Sequence, residues 1–313
     1  MPRQIARKRT ITFPLSGWID SYLLSVESGL PSGGTVPHYR GVLTRWSEWA
    51  EEQGYEELAA LETRALQMYI KHLQEKPVRP YRPDERLSVG TIIHNMRVIR
   101  IFANWLLSEN ELETDPFARL KLPRPPKRQP KPLSDEEKTA LLRACDADKS
   151  VWGRRDLAMV LVLLDTGLRV SELISMQTDS ITPKGSITVI GKGDKQRTVQ
   201  VSEKTRSALF RYVRQRDDPH DCLWVGRKGP LTTGGVEHMT RQRSRAAGIR
   251  SVHPHLLRHT FAVDYLRAGG DVYSLKALMG HESLQMLMRY VAFAEVDLQE
   301  KHKSYSPVKR LKW

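Results

Sequence analysis

Apolar residues recur at steps of three and four through the first third of the chain. Trp18, Tyr22 and Val26 mark one stripe; Tyr39, Val42, Leu43, Trp46 and Trp49 mark a second, closed by Gly54. Ile92, Met96, Ile99, Phe102 and Leu106 form a third, opening after Ser88. Such spacing puts apolar groups on one helical face, and a glycine just past the stripe suits a helix end. Leu61 to Gln74 reads as a further helix, and Pro77 to Pro83 as a loop with Arg79 and Arg82 exposed. The pattern predicts an all-α helical bundle over residues 1–120.

Residues 121–132, KLPRPPKRQPKP, break the pattern with five prolines, five basic residues and no acid. Proline removes a backbone donor and fixes φ, so this segment reads as an extended linker. Ser134 followed by Glu137 has the spacing of a capping box, which starts a second domain, 133–313, directly after it. Here the periods mix. Asp156 to Leu164 is apolar nearly all round and predicts a central buried helix stopped at Thr166-Gly167. Ser186–Ile190 and Arg197–Val201 read as two strands joined by a Gly/Lys-rich turn. Further helices are expected near 202–216, 233–247, 255–268 and 283–291. The fold class is therefore two domains: an N-terminal all-α bundle and a C-terminal, mainly α domain with a small antiparallel β-sheet.

A length of 313 residues gives room for two cores, and 40% hydrophobic with 27% charged residues is an ordinary globular mix. Charge changes the picture. Fifty Lys+Arg against 36 Asp+Glu leave +14, with a pI near 9.8, which implies a polyanionic partner or an acidic surface. An extended basic linker suits a chain crossing a phosphate backbone. Cys145 and Cys222 have neither framework nor metal-ligand spacing, so disulfides are not the stabilising device. The longest apolar run, Leu157 to Leu164, is far short of the ~20 residues that span a bilayer, and the first residues, MPRQIARKR, lack the apolar run of a signal peptide. A cytoplasmic protein without a membrane partner is expected.

Four short segments of the second domain carry candidate chemistry. In TGLRVSEL, Arg169 and Glu172 are three apart, hence neighbours on one helical face; alone they read as an exposed ion pair. GKGDKQR presents Lys192, Lys195 and Arg197 at a hairpin tip. In PHLLRH, His255 and Arg258 share a face. His255 and His259 are four apart, but no acid lies between them and no other ligand has tell-tale spacing, so neither metal nor other cofactor is expected and His259 reads as packing or hydrogen-bonding internally. Finally, Gly280-His281 precedes Tyr290 by nine residues from the histidine. Each segment alone is ordinary. Together they match one reaction. Attack on a phosphodiester builds charge on two non-bridging oxygens, which calls for paired guanidiniums; Arg169 and Arg258 supply them. A hydroxyl nucleophile must lose a proton and the leaving oxygen must gain one, transfers suited to histidine and lysine.

These segments, in this order, resemble the signature of the tyrosine recombinase (phage integrase) family, and the helical first third resembles its core-binding domain. In compact two-domain length the chain is most similar to Xer-type recombinases and small mobile-element integrases. The resemblance implies a catalytic set of Arg169, Lys192, His255, Arg258, His281 and Tyr290, with Glu172 supporting. Tyr290 would attack the scissile phosphate to give a 3′-phosphotyrosine, Lys192 would protonate the departing 5′ oxygen, and His255 would accept the phenol proton or bind the phosphate alongside His281. The resemblance further implies double-stranded DNA as partner. Four protomers, as a homotetramer or a heterotetramer with a second recombinase, would assemble on two sites, with the basic tail docked on a neighbour. Tyr265, Tyr273 and Tyr305 lack the Gly-His spacing. Type IB topoisomerase-like relaxation and a non-catalytic DNA-binding accessory role stay open as alternatives.

Overall fold

The apolar stripes of the first third become helices, whose packing is given by a computed structural model describing residues 13–29, 35–79, 82–124, 131–191, 196–280, 283–294, 302 and 306–310. The chain divides into two compact units, Met1–Arg128 and Gln129–Trp313. In the first, α1 (Leu15–Gly29), α2 (Thr35–Glu52), α3 (Thr63–Glu75) and α4 (Val89–Ser108) enclose one core. Trp46, Met96, Ile99, Phe102 and Leu106 are fully buried, and Phe102 meets Tyr22 edge-on at 5.5 Å between ring centroids. Ser88 caps α4, its hydroxyl accepting from the Thr91 N–H at 3.1 Å, and Gly54 turns the chain after α2 with φ of 73°.

One expectation needs correction here. The Pro77–Pro83 stretch is not a loop: β1 (Pro77–Arg79) pairs antiparallel with β2 (Arg82–Arg86), so this unit is not all-α. The prolines misled because proline is barred from central strands, whereas a two-stranded ribbon has only edges, where a missing N–H need not cost a ladder bond.

The second unit is built on α6 (Val151–Thr166), whose Val160, Val162 and Leu163 are fully buried. A helix apolar on all sides is stable only when covered on all sides. The covering elements include α5 (Asp135–Asp146), opened by the Ser134–Glu137 capping box, α8 (Glu203–Gln215), α9 (Thr233–Ala246) and α10 (Pro254–Arg267). Between α6 and α8 run the short α7 (Val170–Ile174) and the hairpin of β3 (Ser186–Ile190) and β4 (Gln196–Gln200), in register from Ser186↔Gln200 to Ile190↔Gln196. A second small ribbon, β5 (Val225–Gly226) with β6 (Gly229–Pro230), makes two separate sheets in this unit, where the pattern suggested one.

After α10 come α11 (Val272–Met279) and α12 (Gln285–Ala294), which close a smaller apolar cluster with Phe261, Leu266, Leu275, Leu287 and Tyr290. Helix α11 was not anticipated. Its eight residues are too short for a clear stripe, yet its ends are marked: the Asp271 carboxylate accepts from the Tyr273 and Ser274 N–H groups, and Gly280 ends it with φ of 61°. The described helices include none long and apolar enough to cross a membrane.

The underside of α6 carries a buried charge cluster. Asp156, 4% exposed, accepts from Arg155 at 2.6 and 3.0 Å and from Arg243 at 2.8 Å, while Arg243 also reaches Asp148 at 2.7 Å. Removing the one carboxylate that two guanidiniums share leaves Arg155 poorly compensated in the interior and Arg243 held by Asp148. Asp156→Ala should therefore lower unfolding free energy by about 3–5 kcal/mol, read from the midpoint of denaturant unfolding.

Candidate active site

Gly167 ends α6 in the left-handed conformation, φ of 62°, and a β-carbon there would lie 2.2 Å from the Phe261 ring. Glycine is required twice over. The turn delivers Arg169 to the N-cap of α7, one residue before the helix rather than on its face as the spacing suggested. Glu172, in the first turn, reaches back: its Oε2 accepts the Arg169 backbone N–H at 2.7 Å and its Oε1 accepts Arg169 Nη1 at 2.9 Å. This is not an exposed ion pair, since Glu172 is only 3% exposed.

A third residue completes that contact. Burial alternates along β4, so Arg197 and Val199 point inward while Gln196, Thr198 and Gln200 face out. Arg197 donates through Nη1 and Nη2 to the two Glu172 carboxylate oxygens, each at 2.8 Å. It is therefore not a solvated cation of the hairpin tip. The strand's period of two carried the signal: Arg197 lies two residues from an obligate core valine.

Arg258, on α10 and 3% exposed, turns toward two helix ends. Its Nη1 donates to the Gly167 carbonyl at 2.5 Å and its Nη2 to the Met279 carbonyl at 2.9 Å. Arg169 Nη2 donates to Gly280 O, and Arg197 Nε to Leu278 O, both at 3.0 Å. Three successive carbonyls at the end of α11 thus receive three guanidiniums from three different elements. The last carbonyls of a helix have no partner within it and carry the negative end of its dipole, so cations are stabilised there. Gly280 must also lack a side chain, because a β-carbon would sit 2.9 Å from Arg197 Nη1.

Electrostatics follow from this crowding. Burial, then the neighbouring Arg169 cation, push Arg258 down to about 10, with Glu172 and Tyr290 opposing the shift. It stays charged at neutral pH, and an added anion would relieve its repulsion. Burial alone would raise the Glu172 carboxyl, but hydrogen bonds from Arg197 and the Arg169 backbone, with the Arg197 charge, hold it at about 2.

Tyr290 projects from α12 into the small apolar cluster, 1% exposed, its ring 5.3 Å from that of buried His259. His255 is exposed on the first turn of α10. Lys192 and His281 lie outside the described residues. Of the other tyrosines, Tyr265 hydrogen-bonds Ser274 at 2.8 Å, Tyr273 stands 71% exposed, and Tyr305 is outside the described residues. A cleft of about 1250 Å³ opens beside the cluster, lined in part by Arg169, Glu172, Arg197, Lys276 and Met286.

Residues 131–296 match the phage integrase family. The chain belongs to that family, the tyrosine recombinases. It is 32% identical over 302 residues to the tyrosine recombinase XerD of Pseudomonas putida, covering 92% of this chain and 97% of that protein. To the tyrosine recombinase XerC of Bacillus subtilis it is 32% identical over 265 residues, covering 81% and 83%. The fold is similar to that of the Tn1549 transposon integrase in complex with a circular intermediate DNA, at a TM-score of 0.72 and 17% identity over 94% of this chain and 98% of that one. It is likewise similar to XerH recombinase bound to difH substrate, at 0.66 and 20% over 94% and 84%. Membership in a recombinase family accords with a site whose described part is a cationic cradle.

Because the Glu172 carboxyl is depressed below its ordinary 4.5, its ionic network contributes fully above that value and is lost as pH falls through about 2. Denaturant unfolding of wild type and Glu172→Gln between pH 6 and pH 2 should show a wild-type advantage that shrinks toward acid. Gly280→Ala, which forces both the left-handed residue and the Arg197 guanidinium to yield, should destabilise by about 1–3 kcal/mol.

Proposed function

We propose that Tyr290 is the nucleophile of a site-specific DNA recombinase and that Arg169 and Arg258 hold the scissile phosphate. The observation that carries this reading is the convergence of those two guanidiniums on one helix end, in a chain that belongs to the tyrosine recombinases. The phenol oxygen attacks phosphorus as the bond to the 5′ oxygen breaks, giving a 3′-phosphotyrosine and a free 5′-hydroxyl. Charge growing on the phosphate oxygens falls between cations already oriented by protein dipoles, the arrangement that lowers such barriers most. Lys192 delivers the proton that the 5′ oxygen takes up; His255 accepts the phenol proton or binds phosphate, and His281 hydrogen-bonds the same phosphate. Because the covalent link keeps the phosphodiester energy, a 5′-hydroxyl from another strand reverses the step.

In this reading, residues 1–120 form a core DNA-binding domain, 121–132 a basic strap along the backbone, and 133–313 the catalytic domain. The net charge of +14 supports double-stranded DNA as partner. Four protomers act on two sites in the cytoplasm, all of one kind or shared with a second recombinase, the basic tail docking on a neighbour. The kinship with recombinases favours neither simple topoisomerase-like relaxation nor a silent accessory protein.

Trapping on nicked suicide duplexes prepared from genomic fragments should yield a covalent protein–DNA adduct whose position maps the cleavage site. Tyr290→Phe should yield none; an undiminished adduct from that variant would move the nucleophile elsewhere. Arg169→Ala should cut cleavage by roughly 100-fold or more while leaving affinity nearly unchanged, since most affinity comes from dispersed phosphate contacts. Affinity itself, measured by titration between low and physiological salt, should fall steeply.

A further inference from the structure

Beside the two arginines of the reaction just set out stands a third guanidinium, largely covered, that has no part in it. Arg197 is 15% exposed at its side chain, lies on β4, and is committed on every side. Its two terminal nitrogens take both oxygens of Glu172, and its Nε takes Leu278 O. Glu172 in turn holds Arg169 through backbone and side chain, while the next two carbonyls of α11 hold Arg258 and Arg169. Arg197 thus ties the carboxylate orienting Arg169 to the helix end that receives both arginines, reinforcing from β4 the bridge that Arg169 makes for itself. Its fork geometry matters. A planar guanidinium can satisfy two carboxylate oxygens in parallel and still offer a third donor at right reach, which an ammonium on a flexible stem cannot do.

We propose that Arg197 is a positioning residue for DNA cleavage: by bridging Glu172 and the last turn of α11, it fixes Arg169 and Arg258 in the one arrangement that fits a phosphodiester. The proposal rests on the reading of those two arginines as phosphate ligands. It assigns Arg197 no contact with DNA. Without it, the link between Glu172 and the end of α11 would rest on Arg169 itself, and the separation of the two cations would be less tightly fixed. A misplacement near 1 Å at a reacting centre typically costs two orders of magnitude.

The test uses full-length protein and suicide duplexes carrying the mapped cleavage position, with either the native phosphate or a methylphosphonate at the scissile link. The methylphosphonate replaces a charged oxygen by methyl, so its attack needs far less cationic help. Arg197→Ala should cleave the native duplex roughly 100-fold more slowly than wild type, bind it with the same affinity, and come within about threefold of wild type on the methylphosphonate. Arg197→Lys should recover only part of the native rate. In a double-mutant cycle, adding Arg197→Ala to Glu172→Ala should cost little beyond Glu172→Ala alone, as expected for residues acting through one another. Arg169→Ala provides the reference, since loss of a true phosphate ligand should likewise be masked by the neutral substrate.

An equal deficit on both duplexes would overturn the proposal, because a general loss of folding does not distinguish them. So would a native rate unchanged in Arg197→Ala. Should that variant fail to fold, judged by its thermal transition, the comparison of the two duplexes is made with Arg197→Lys and decides the matter in the same way. If wild-type protein formed no adduct, or Arg169→Ala cleaved normally, the fault would lie with the underlying reading rather than with Arg197.

Discussion

One buried carboxylate allows this site to exist. Arg169, Arg197 and Arg258 converge on the last turn of α11, and like charges so close and so poorly hydrated repel one another. Glu172 offsets that repulsion from below, taking four hydrogen bonds from two arginines, and the carbonyl ends of α6 and α11 offset it from the other side. Buried ion pairs of this kind add little net stability, because desolvation consumes most of the attraction. What they supply is a definite geometry. The elements of the second unit can be understood as the means of bringing that carboxylate and those helix ends together: a covered α6 to aim Gly167, a hairpin to present Arg197, and α10 to bring Arg258 across.

The cationic cluster is also unfinished in an electrostatic sense. Three guanidiniums face one carboxylate, and Arg258 is held below its ordinary range by burial and by Arg169. Neutral carbonyl dipoles moderate this excess without cancelling it. An anion placed there would relieve the excess, and the energy of assembling the cations is spent in folding. Tyr290 packs in an apolar cluster against His259, within electrostatic reach of Arg258.

Much of this was legible from residue order, and the failures are instructive. The long helices were visible because a buried stripe must repeat at the helical period. The segments around Arg169, Arg258 and Tyr290 stood out because together they hold the side chains that one candidate reaction would use, and the structure brings Arg169 and Arg258 to one helix end. Arg197 was overlooked because it lies beside two lysines in a turn-like run, although its place two residues from Val199 pointed inward. Helix α11 was overlooked because its contribution is made by backbone: no pattern of side chains announces that the carbonyls of Leu278, Met279 and Gly280 will be ligands. The Pro77–Arg86 ribbon was overlooked because a rule for sheet interiors was applied to a pair of edges.

Contact through backbone at 278 and 279 has a consequence for how this site tolerates change. Leu278 and Met279 can be exchanged for other residues that pack, with the oxygens they offer left where they are. At those two positions chemical identity and active-site geometry are decoupled. At Gly280 they are locked together, because there the absence of a side chain is itself the feature being used. Variation among related sequences can accumulate on one side of this peptide turn and be refused one residue later, although all three residues hold an arginine by the same kind of bond.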